Sequence, residues 1–448
     1  MKIKNFFNSL ILFSSISGSG QQIQQYENII SNYYQQGYRY AMIPWVKEYW
    51  FLNSGSSRQI EPILNDLVLE LGSNHFTNLN EKILNKNSGQ AIDYIKGRKY
   101  YRAGQYQKAL RSFDRVKTLS PFFPMALYYM AVIYYLNRDY AKAQLHFERC
   151  YQDSKNRRGS EILSRQYKLI RDLCQVGPAR SLYAERKYER ADFAYLDLNK
   201  KSIVWPSVLS EEAWSSYYQG NFNRTLGKLV TYNAPMLRYM INPEHEVLKA
   251  MSYMRMCLYN DVNKVVDDFY RNNEKTYRHL SNLLQKKKNP EYYFNMLQAY
   301  SYEKDQTLRY FLKGIVKEPH ITVYFDHLKN AQLEFTKARS ESSRLQSALI
   351  SNIENHIADQ RKVIGQHVYN KLQRLNFDLK KSFESMSYIR LEILSKKKST
   401  LYQGKEFGGK RGDIKYLKRN DKQYFWTFNG EFWADELGDY VFALPTEC

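Results

Sequence analysis

A chain of 448 residues that is 43% hydrophobic, with 67 Lys and Arg against 45 Asp and Glu and a formal charge of +22, is long enough for two or three domains around sizeable cores. Its 40 Tyr and 23 Phe exclude an intrinsically disordered chain, and 11 Pro and 20 Gly are too few for the tight turns of an all-β protein. Beyond the first twenty residues no apolar run approaches the roughly 18–20 residues of a membrane-spanning helix, so the expected class is all-α.

Lys and Arg neutralise phosphates, but here they are spread along the chain rather than gathered in one stripe. The reading is a cation-coated surface that can meet anionic polymers or lipid head groups, with no specific nucleic acid expected. Residues 1–20 place Lys2 and Lys4 before an apolar stretch from Phe6 to Phe13 and end in small residues, the layout of a signal peptide cleaved at Gly20–Gln21. A weakly apolar helix start is the alternative. Export puts Cys150, Cys174, Cys257 and Cys448 in a disulfide-permissive compartment; their spacing matches no zinc motif, and no Cys lies where a lipoprotein anchor needs one.

Residues 21–90 carry helical apolar spacing, as at Ile29, Ile30, Tyr33 and Tyr34, and read as degenerate helix pairs. A self-match at an offset of 34 follows: Gly97, Tyr100, Tyr106, Ala109, Phe113 and Val116 recur as Ala131, Tyr134, Tyr140, Ala143, Phe147 and Cys150. Weaker copies start at Ala179, Ala213 and Ala250, the first after a 14-residue insertion around 151–165. This pattern resembles the tetratricopeptide repeat, in which small residues sit where two antiparallel helices approach and larger ones fill the gap to the next repeat. The resemblance implies a helical solenoid over 91–270, with a helical extension at 271–320. Cys150 takes the repeat position that faces the following helix and Cys174 lies near that helix's start, so a Cys150–Cys174 disulfide and two buried thiols are both open.

Residues 321–398 are nearly free of Gly and Pro and carry one apolar stripe from Leu345 to Ile389, which predicts a long helix or helical hairpin; packing on the solenoid is the first reading, a partner-binding face the second. A basic Gly-containing linker and an aromatic tail fill 399–448, with two short strands expected at Tyr424–Phe428 and Tyr440–Leu444.

Catalytic patterns are nearly absent. The stretch 404–411 has the Gly and Lys spacing of a phosphate loop, but Arg411 stands where Ser or Thr would hold magnesium, and it reads as linker. His356 and His367 share a helix, yet no carboxylate or Cys completes a metal set at helical spacing. No catalytic residue, cofactor or metal is therefore expected.

The repeat resemblance implies that the first helix of each pair lines a concave face. It maps Tyr101, Tyr135, Tyr183 and Tyr217 to one position of four successive repeats, with Tyr94, Arg98, Arg102, Tyr128, Arg180, Trp214 and Tyr218 around them. Tyr, Trp and Arg dominate interface energetics, so these residues form the expected partner-binding groove. Tyr94 and Arg98 stand where chaperone-tail clamps of this family need Lys and Asn. Finally, Trp426–Tyr440 and Ala213–Phe222 are similar to tetratricopeptide proteins of the bacterial adventurous gliding-motility machinery. That resemblance implies a non-enzymatic periplasmic scaffold with protein partners in an envelope complex; a cytoplasmic basic repeat protein that binds nucleic acid or serves as a regulatory adaptor is the alternative.

Overall fold

In a computed structural model, described over residues 19–55, 57–341, 344–402 and 430–448, the chain is all-α and of the helical-solenoid class. Among the described residues there is no strand, only a single bridge between Gly55 and Asn87. The signal-peptide segment up to residue 18, the phosphate-loop-like stretch 404–411 and the first expected strand at 424–428 lie outside the described residues. Two compact units emerge: Met1–Pro178 with Thr322–Arg361, and Ala179–Ile321 with Lys362–Cys448.

Unit 1 begins with helices α1 (Ser19–Gln35), α2 (Ile43–Leu52), α3 (Glu61–Leu71) and α4 (Glu81–Lys86). The hairpins α5 (Gln90–Arg102)/α6 (Tyr106–Phe113) and α7 (Phe123–Leu136)/α8 (Tyr140–Lys155) follow, each packed on the next. Close approach within a hairpin needs a small residue: a Cβ on Gly97 would lie 2.4 Å from the Phe113 ring. Ala109, Ala131 and Ala143, the small positions of the repeat, are fully buried. Helix α9 (Glu161–Ala184) runs from unit 1 into unit 2; within unit 1 its Gly177 faces the Phe147 ring, where a Cβ would come within 2.2 Å, and its Cys174 is bonded to Cys150 of α8.

Unit 2 continues with α10 (Tyr188–Leu196), α11 (Trp205–Tyr218), α12 (Phe222–Val230), α13 (Glu244–Arg255), α14 (Tyr259–Gln285), α15 (Pro290–Gln298) and α16 (Gln306–Lys317). Again the small repeat positions, Ala179, Ala191, Ala213, Thr225 and Ala250, are fully buried. Helices α17 (Pro319–Ser340) and α18 (Gln346–Tyr402) pair as a hairpin: the Gln346 amide donates to the Ala338 carbonyl across the turn, and far from the turn His320 meets His367. Leu349, Ile353, Ile364, Val368, Leu372, Leu379 and Met386 of the predicted stripe are fully buried, which makes the stripe core.

The second expected strand does not form. Among the described residues Tyr440–Leu444 joins no sheet and crosses α12 as part of a strap, residues 430–448. The Asn223 side chain pairs with the Leu444 backbone in both directions, accepting from its amide at 3.0 Å and donating to its carbonyl at 3.1 Å. The Phe442 amide donates to the Asn223 carbonyl, and the Glu447 amide to that of Met256. Gly438, at φ +85°, donates to Thr231 Oγ1 and packs beside Trp205. Its carbonyl accepts from Lys228, whose ammonium is buried in an ion pair with Glu212. A disulfide from Cys257, after α13, to Cys448 ends the strap, so all four cysteines are bonded.

Candidate functional site

Each repeat hairpin turns through the same device. The residue three past the first-helix Tyr adopts a left-handed conformation: Gly104, Arg138, Arg186 and Gly220, and Cys257 at the equivalent place after α13. Its amide donates back three residues and the next amide five, as Gly104 to Tyr101 and Gln105 to Tyr100, which is a Schellman closure satisfying the last carbonyls of the first helix. The turn brings residues five apart into contact, so each ladder tyrosine meets the first aromatic of the second helix. Ring centroids lie 6.2 Å apart for Tyr101–Tyr106, 5.7 Å for Tyr135–Tyr140, 5.4 Å for Tyr183–Tyr188 and 5.5 Å for Tyr217–Phe222. All four ladder rings are half-buried, two in each unit.

In unit 2 these pairs merge into a shelf. Tyr218 stacks on Tyr188 at 4.9 Å and on Trp214 at 5.7 Å, while Tyr183 and Tyr217 pack against it at steeper angles. Tyr218 is 52% exposed, so the shelf reaches solvent. Burial pushes the Tyr183 and Tyr217 hydroxyls above the usual tyrosine range, keeping them neutral donors. Arg180 does not serve as the expected free cationic donor: its guanidinium forks onto Glu211, at 2.8 and 2.9 Å, and Glu211 also accepts from Tyr195.

Unit 1 repeats the theme around a residue that sequence reasoning passed over, Tyr129. Tyr101 and Tyr128 pack against it, and the Arg98 guanidinium sits 4.2 Å over its ring. Arg98 also donates to Tyr94 and Asn74, so it too is engaged internally. Tyr94 is only 5% exposed and stacks on Phe122; it belongs to the core and leaves the expected groove. Arg102 remains exposed, bonded to Thr77. Tyr129 and Tyr188 were legible only as repeated aromatics, since nothing in helical spacing says which face of a Tyr-rich helix stays outside.

Unit 2 also holds an open cavity of about 1000 Å³ bordered by α12, α13, α14 and α16. Of its charges, Lys249 pairs with Glu246 and Arg271 with Asp268, and Asp305 accepts from Thr276 and caps α16. Arg238, Lys275 and Lys304 give the remaining lining a positive sign suited to an acidic ligand segment.

No protein-family model and no curated protein matches this sequence. Among solved structures the chain is similar to the Rap conjugation gene regulator of the plasmid pLS20 in complex with the Phr* peptide, at 11% identity and a TM-score of 0.32, over 78% of this chain and 98% of that one.

Proposed function

We propose that this protein is a non-enzymatic tetratricopeptide-like scaffold that captures a protein partner on the aromatic shelf of unit 2. The carrying observation is the stack of Tyr188, Tyr218 and Trp214, held by the hairpin turns with Tyr218 half exposed. Stacked rings fixed before binding bury area at little entropic cost, which is the chemistry of interface hot spots. A partner with apolar residues for the shelf and acidic ones for the Arg238, Lys275 and Lys304 lining fits both features. Because Arg180 and Arg98 are spent internally, the rings rather than the arginines carry affinity. The bonding of all four cysteines supports an oxidising, envelope location. A place in gliding-motility machinery rests on the resemblance of the tail and of Ala213–Phe222.

The test is a pull-down from the native envelope fraction with wild-type protein and the Trp214→Ala/Tyr218→Ala variant side by side. A partner held by the wild type should be retained about tenfold less or weaker still by the variant, with an unchanged helical circular dichroism signal. Equal retention by the folded variant would refute the shelf as the binding surface.

A further inference from the structure

Three side chains of unit 2 that play no part in the shelf converge on one point. Glu318 ends α16 in an extended conformation, Pro319 starts α17, His320 follows in its first turn, and His367 comes from α18. Nε2 of His367 lies 2.8 Å from Glu318 Oε2, Nε2 of His320 lies 3.4 Å from the same oxygen, and the two nitrogens are 3.2 Å apart.

The hydrogen bonding of this triangle depends on which ring nitrogens carry protons. A neutral imidazole nitrogen carries at most one proton, so His367 Nε2 can donate to Glu318 or to His320 but not to both. Both rings can donate to Glu318 Oε2 only when each carries its proton on Nε2; with either proton on Nδ1, lone pairs face one another in the centre. A cation there would satisfy all three. Zinc binds imidazole nitrogen and carboxylate oxygen at about 2.0–2.2 Å, and tetrahedral bonds of that length set neighbouring ligand atoms roughly 3.3 Å apart, close to the triangle observed.

The surroundings fit as well. Lys371 holds the other carboxylate oxygen, Oε1, at 2.7 Å, which turns Oε2 towards the imidazoles in the manner of an outer-shell partner. Its charge also tempers affinity for a cation. The His320 side chain is 46% exposed, which leaves room for solvent at a fourth position.

We propose that Glu318, His320 and His367 bind one divalent first-row transition ion, of which Zn2+ is the natural probe, through two imidazoles and one carboxylate with a fourth position open to water. A set of nitrogen and oxygen donors without thiolate suits such ions and not Mg2+, which demands an octahedron of oxygens. The inference is independent of the proposed partner capture. Bound there, the ion would tie the α16–α17 corner to α18.

The experiment is calorimetric titration of the full, tag-free chain with Zn2+. One saturable site is expected, weakened at least tenfold in His320→Ala and in His367→Ala, with no heat from Mg2+ at the same concentration. Co2+ should give a visible absorption band that both variants lose. Circular dichroism of the metal-free variants checks folding, and exposed His320 gives a variant with little packing to disturb. The chain has eight histidines, so binding unchanged in either variant would place the ion elsewhere and overturn the proposal, as would the absence of a saturable site.

Discussion

A methyl group is the smallest side chain that could replace the hydrogen of Gly227, and the strap leaves no room for it. A Cβ at that position would lie 1.7 Å from the Tyr440 carbonyl oxygen, a contact with backbone that no rotamer change relieves. Gly in a helix interior is otherwise about 0.5–1 kcal/mol worse than Ala, so without the strap Gly227→Ala would stabilise α12. With the strap in place, the substitution is expected to cost about 1–3 kcal/mol, as overpacking does, and to open residues 430–447 to protease. Denaturant unfolding and limited proteolysis read the two effects, and a stabilised, resistant variant would show that the strap does not cover α12. Nothing in the sequence around Gly227 announces this close approach, because its partner lies more than 200 residues further on. The same distance hid Asn223, whose amide takes the place of the sheet neighbour that Tyr440–Leu444 was expected to find.

At the scale of the helical hairpin the sequence is far more legible, because what shapes a hairpin is local. The 34-residue period, the small residues at the crossing and the aromatics around them all read correctly from spacing, down to the burial of Ala109, Ala143 and Ala191. The turn geometry was not read, although it recurs as faithfully. Gly104 and Gly220 take the left-handed position at φ +69° and +76°, whereas Arg138 and Arg186 adopt +63° with a side chain attached. That conformation costs an L-residue about 1–2 kcal/mol, partly offset by the extra freedom Gly has when unfolded. Arg138→Gly and Arg186→Gly are each expected to stabilise by about 0.5–1 kcal/mol without moving the Tyr135–Tyr140 or Tyr183–Tyr188 pairs. Urea midpoints with an unchanged slope would record it; a loss of stability would mean that the arginines contribute contacts outweighing the strain. The metal triangle escaped sequence reading for a related reason. His367 was weighed against residues on its own helix, while its neighbours Glu318 and His320 arrive from the corner before α17.

Over whole units, buried histidines set the response to acid. In unit 1, His75, His327 and His356 gather around Tyr40 and Lys47, with Glu70, Asp326 and Glu334 facing the same interior. Burial holds His327 and His356 at about 4 and His75 well below its usual value. An unfolded histidine titrates near 6.5, so the stability these rings contribute is intact above that value and drains away as pH falls towards 4. Glu334 works the other way: buried, and accepting from the Arg39, Tyr40 and Ala41 amides, it is raised to about 7, so acidification through that range relieves it. Burial raises Glu70 as well, so in this cluster three histidines stand against two carboxyls and the balance is a net loss on acidification. Urea midpoints should therefore fall between pH 6.5 and 5; a flat profile there would mean that the rings are hydrated. The two disulfides, finally, impose an order in time on a chain emerging from a ribosome or a translocon. Cys150 meets Cys174 within 24 residues, but Cys257 must wait 191 residues for Cys448, roughly 10–40 s at ordinary rates of synthesis. Throughout that interval α12 and α13 lack the cover of the strap, with the Met256 carbonyl and the Asn223 amide open to any other edge and the Cys257 thiol open to any oxidant. The second half of the molecule is thus born unfinished, and its completion is an event that a foldase or a disulfide-exchange catalyst can time.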